Sequence, residues 1–130
     1  MAINKRVPPN REGSFARNSA PYNVSFTAAA VTPCVGVVQD EGLVDSATGV
    51  TRTGPGTYVI TFLSRFYRIV PLGPPNVQLT GNWDAKVLAV VDGAAAANSI
   101  TVEVNNIGTA VADPTATVNV AFRIITSPGA

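Results

Sequence analysis

The chain of 130 residues predicts an all-β fold, a jelly-roll-like β-sandwich of about eight to nine strands with an extended N-terminal arm. Three observations carry this expectation. Apolar and polar residues alternate along several stretches, most plainly over residues 49–62, 99–105 and 116–125, and a period of two marks a strand with one face in a core. Turn-forming residues separate these runs at roughly ten-residue spacing, the pattern of sandwiches and barrels. No segment holds a helical period: the GAAAAN stretch at residues 93–98 is too short for an independent helix and reads as a loop.

The stretch GVTRTGPGTYVITF, residues 49–62, organises the rest. It reads as two strands joined at Gly54-Pro55-Gly56, where glycine supplies the backbone angles of a tight reversal. Tyr58, Ile60 and Phe62 fall on one face of the second strand, and Thr57, Val59 and Thr61 on the other. Residues 1–21 carry Pro8-Pro9 and Pro21 and no periodicity, so they read as an extended arm, with residues 22–130 as the sandwich body. Residues 22–31 predict the first strand of that body, with Tyr22, Val24, Phe26 and Ala28 on one face. Residues 32–39 predict a second, with Val35 and Val37 packed. Asp40-Glu41-Gly42 is a turn, and residues 43–49 form a short strand or loop. Residues 65–70 predict a strand with Phe66 and Arg68 on one side and Tyr67 and Ile69 on the other, stopped by PLGPP. Residues 77–80 are a brief strand, and Gly81-Asn82-Trp83-Asp84 is a turn. The near-continuous apolar run of residues 86–91 predicts a strand buried on both faces or at a contact. Asp92-Gly93 is a turn. Residues 99–105 direct Ile100, Val102 and Val104 inward, and residues 107–114 are a loop. Residues 116–125 direct Val118, Val120, Phe122 and Ile124 inward.

Charged residues make up 13% of the chain, about half the usual share, against 46% apolar residues. Such a surface suits a protein partly covered by neighbours. The net charge of +1 is unevenly spread: the first 20 residues hold Lys5, Arg6, Arg11 and Arg17 against Glu12, while the remainder is mildly acidic. A basic leader argues for an acidic partner surface. It does not argue for nucleic acid, because the body has no basic stripe and Arg65 and Arg68 on one strand would point to opposite faces.

The residue inventory narrows the chemistry. There is one cysteine, Cys34, and no histidine. No disulfide can form within the chain, soft-metal clusters and histidine-based triads cannot be built, and no G-x-S-x-G is present. Asp40, Glu41 and Asp45 read as solvated turn acids, and the other carboxylates show no paired spacing for glycoside chemistry. Gly54-x-Gly56 is followed by a strand without a Lys-Ser or Lys-Thr, so it is not a phosphate loop. Cys34 reads as a small buried thiol. The expectation is a non-enzyme with no cofactor and no metal. No apolar run is long enough to span a membrane, and the leader lacks a secretory pattern, so folding in a cytosol is expected.

Taken together, Val50-Thr51-Arg52, the Gly56–Phe62 strand, the paired late strands at residues 99–105 and 116–125, and Asp113 ahead of the last strand resemble a β-sandwich common in tailed-phage structural proteins. It is related in shape to the C1q and tumour-necrosis-factor jelly rolls. The resemblance covers residues 48–125. It implies a homotrimer around an apolar face and a place in the virion, the protein being made in the host cytoplasm. It implies a capsid decoration (cement) protein whose partner is the major capsid protein or another virion protein, with no nucleic acid and no membrane. On that reading Lys5, Arg6, Arg11 and Arg17 make the contact, with Ile3, Val7 and Phe15 as apolar pegs. The alternative is a receptor- or carbohydrate-binding head of a tail fibre or spike, with Trp83 and Tyr67 stacking on sugar rings.

Overall fold

The structure, a computed structural model, describes residues 19–39, 42–79, 83–94, 97–107 and 110–126. The arm residues Ile3, Lys5, Arg6, Val7, Arg11, Phe15 and Arg17 lie outside the described residues, as do Asp40, Glu41, Gly81 and Asn82. The described residues form no helix. They form ten strands: β1 (Ser19–Ala28), β2 (Val35–Gln39), β3 (Val50–Gly54), β4 (Thr57–Thr61), β5 (Arg68–Pro71), β6 (Asn76–Gln78), β7 (Trp83–Val91), β8 (Ser99–Asn106), β9 (Ala110–Val111) and β10 (Ala116–Ile125).

Two antiparallel sheets result. Sheet 1 runs β2-β1-β10-β5, with β6 also on β10; sheet 2 runs β3-β4-β8-β7, with β9 also on β8. In each sheet a late strand is inserted among earlier ones, the nesting that makes a sandwich jelly-roll-like. The central ladder of sheet 1 pairs the first strand with the last over ten positions, from Ser19 with Ile125 to Ala28 with Ala116. The inner faces are the alternating residues: Val24, Phe26, Val118, Val120 and Phe122 from sheet 1, and Tyr58, Ile60, Ile100, Val102 and Val104 from sheet 2, all buried. Aromatic contacts join the layers. Phe26 meets Tyr58 at 5.4 Å between ring centroids, and Phe122 meets Phe62 at 5.3 Å in an edge-on arrangement.

The hairpin of β3 and β4 turns at Pro55-Gly56, with Gly56 at φ +68°, a conformation that disfavours any side chain. Tyr58, Ile60 and Phe62 point inward as expected. Elsewhere the strands depart from expectation in instructive ways. β1 begins at Ser19, inside the stretch expected to be arm. Pro21 is accommodated because β2 reaches only to Val24, so β1 has a single neighbour there. In β2, Val35 is exposed and Val37 is half-buried; the ladder with β1 shifts between Ser25 and Thr27, and Gly36 at φ +66° breaks the alternation. The strand expected from Arg65 begins only at Arg68, and both Phe66 and Ile69 turn toward the core. Trp83 and Asp84 open β7 instead of forming a turn. β7 is an edge strand with Leu88 and Val91 exposed, so the apolar run is not buried on both faces. A register shift between Val87 and Ala89 and the exposed Lys86 blunt this edge.

Candidate functional site

The densest polar constellation among the described residues centres on Asp113, in the segment between β9 and β10. The β3–β4 hairpin brings three donors to it. Arg52 lies opposite Tyr58 in the ladder, so both sit on the core side of the edge. The Arg52 guanidinium donates to Asp113 through Nε (3.0 and 3.2 Å) and Nη2 (2.9 Å). The Gly56 amide donates to Oδ1 at 2.9 Å, and the Tyr58 hydroxyl donates to the same oxygen. A planar guanidinium on a carboxylate is the strongest form of side-chain ion pair. Thr115, two residues on, adopts φ +52°, a strained angle for a β-branched residue, held between this clasp and the start of β10.

The electrostatics follow from the geometry. The Arg52 hydrogen bonds hold the Asp113 carboxyl down at about 2, against the partial opposition of burial and with help from Tyr58 and Gly56. Tyr58 is pushed far above the ordinary phenol range, first by burial, then by its bond to Asp113. It therefore stays neutral and donates. Cys34, beside the cluster, is buried, and its pKa rises to about 11, from burial first and from the negative charge of Asp113 second. It is an unreactive thiol at neutral pH, in keeping with a packing role. Both Asp113 oxygens accept hydrogen bonds and Tyr58 is wholly buried, while the Arg52 and Asp113 side chains keep a small exposed edge. The cluster works as a clasp that ties the hairpin to the strand entering sheet 1. Sequence spacing alone does not bring Asp113 to the hairpin; the fold of the two sheets does.

A second constellation lies at the opposite end of the sandwich. Asn98, fully buried, accepts from the Phe66 amide through Oδ1 at 2.6 Å, and its main-chain carbonyl accepts from the Phe62 amide at 2.9 Å. Its Nδ2 has no partner among the described residues. The Gly93 amide donates to Phe66 O at 2.8 Å, and Asp92 accepts from the Ile69 amide at 2.9 Å. Residues 62–67 are thus docked on the β7–β8 connection. No sequence signal singled out Asn98. Asn98→Ala is expected to reduce stability by about 1–2 kcal/mol, because it strands a buried amide. The check is amide exchange: the Phe66 N–H exchanges faster in the variant while the β8 amides keep their protection.

Of the aromatics considered for sugar stacking, Trp83 is half-buried and packed against the core, whereas Tyr67 is 45% exposed. Arg65 and Arg68 do not alternate across one strand, since Arg65 precedes β5. The described residues contain no group of three or more metal-ligating side chains. No family model, no curated protein and no solved structure matches the chain.

Proposed function

We propose that the protein is a non-enzymatic virion structural protein, a capsid decoration protein that binds the outer surface of a phage capsid as a homotrimer and stabilises it. The observation that carries the reading is the outward face of sheet 1. Over the half of it nearest the start of β10, two rows of paired residues, Val38, Ser25, Asn119 and Asn76 in one and Val35, Thr27, Thr117 and Gln78 in the other, carry no charge, while the charges of this face, Arg123 and Arg68, lie toward its other end. A sheet face turned to water ordinarily carries lysine and glutamate, while the centres of protein contacts are depleted of charge. The basic leader and the resemblance of the central and late strands to phage sandwich domains supply the kind of assembly. The fibre-head alternative draws less support, because Trp83 is committed to packing.

The test removes residues 1–18 and leaves Ser19 and Ala20, which pair with Ile125 and Ile124. The truncated protein is expected to keep its β-sheet circular dichroism and its trimer mass by light scattering while losing binding to purified capsids. Extended arms gain through multivalency, so three lost contacts act together. Decoration at normal occupancy by the truncated protein would sink the arm reading.

A further inference from the structure

A second surface lies at the end of the sandwich where β1 starts. Ser19 and Arg68 both pair with Ile125, so the start of β1, the end of β10 and the start of β5 lie side by side. The basic leader joins the sandwich covalently at this end. Arg65 is exposed here, and the Arg68 side chain is 59% exposed. The acid beside them, Asp92, stands 3.9 Å from Arg68 and sets one negative charge against two guanidinium groups, so it offsets the patch only in part. Elsewhere on the sandwich Arg52 and Lys86 are matched to Asp113 and Glu103 at 2.9 and 3.4 Å.

The same end also exposes apolar surface. Leu63 is 63% exposed, Tyr67 45% and Val91 40%. Arginine and tyrosine with a few aliphatic side chains are the composition of interface centres. The loop that bears Leu63, Arg65 and Tyr67 is held by the bonds to Asn98 and Gly93, so little ordering remains to be done on binding.

We propose that this end is a docking surface for an acidic protein, with Arg65 and Arg68 supplying the charge and Leu63, Tyr67 and Val91 the apolar contact. It deepens the function proposed above and rests on that reading for its partner, an acidic surface on the particle. A nucleic acid is the less suitable occupant. Two exposed arginines make a small phosphate footprint, and Leu63 and Val91 have no counterpart on a phosphate backbone.

The experiment uses the full chain and poly-L-glutamate as the acidic probe, read by fluorescence anisotropy at low salt. Arg65→Gln/Arg68→Gln is expected to weaken binding about tenfold, as loss of close charge partners does. Lys86→Glu, the same change in net charge on the far side, is expected to weaken it less than about twofold. Equal losses in the two variants, or no loss in the first, overturn the proposal. Tighter binding of a 20-base-pair duplex DNA than of poly-L-glutamate of matched charge would overturn it in favour of nucleic acid. The two readings separate cleanly. If the arginine pair has no effect while truncation of residues 1–18 abolishes capsid binding, the docking end fails and the decoration reading stands. If the arginines matter for the acidic probe while the full chain does not bind purified capsids, the docking end stands and the decoration reading fails.

Discussion

Phe122→Ala is expected to reduce stability by about 3–5 kcal/mol. Phe122 lies in the middle of β10, the strand flanked by β1 on one side and by β5 and β6 on the other. Its ring is wholly buried, meets Phe62 across the sandwich at 5.3 Å and lies 6.4 Å from Tyr22 within its own sheet. Removing it takes away apolar burial and leaves a void that two paired ladders prevent from collapsing. A thermal melt followed by circular dichroism should show a fall in Tm of about 15–20 °C for a body of this size. Phe122→Leu, which keeps most of the volume, should lose less than half as much. A loss below about 1 kcal/mol for the alanine variant would show that the two layers do not meet through this ring.

Asp113→Ala should follow closely, with a loss of about 3 kcal/mol. The alanine strands the Tyr58 hydroxyl, which has no exposed surface, together with the Gly56 amide, and it leaves the Arg52 guanidinium without its carboxylate. Stranding a buried donor costs more than making the bond gained, so the effect should exceed that of Tyr58→Phe, and a double-mutant cycle between the two should show coupling. The clasp also sets a pH dependence. The folded-state pKa of Asp113 is depressed to about 2 from 3.8. Its contribution is therefore complete above about pH 4 and is lost as the pH falls toward the folded-state value. Stability measured by denaturant titration between those limits should decline more steeply in the wild type than in Asp113→Asn. Identical acid limbs would mean that the carboxylate is not held by Arg52.

The strands most legible in the sequence are β4, β8 and β10, and the reason is positional. Each has neighbours on both sides and one face in the core, so burial imposes a strict period of two on Tyr58–Ile60, Ile100–Val104 and Val118–Ile124. Edge strands carry no such constraint. In β2 the register shift and Gly36 turn Val35 outward, and in β7 the shift at Leu88 scrambles a run that alternation alone reads as buried. The clasp was beyond spacing arguments, because Arg52 and Asp113 stand 61 residues apart and meet only once both sheets exist. Asn98 gave no signal at all: a lone asparagine after four alanines looks like any loop residue until the amide it caps is known.

The ladder between β1 and β10 has a bearing on how the chain is born. Its partners are residues 19–28 and residues 116–125, so the middle of sheet 1 cannot zip until residues 116–125 have left the ribosome. Sheet 2 joins only residues 50–61 to residues 83–111 and is complete earlier. Until the last strand arrives, Val24, Phe26 and Ala28 have no β10 to pair against, and the loop entropy of that long closure falls on the final step. The folding of this sandwich is therefore governed by its last strand: a nascent chain interrupted before Ala116 holds an inner face with nowhere to go, and it is the ten residues of β10 that turn the sandwich into a closed structure.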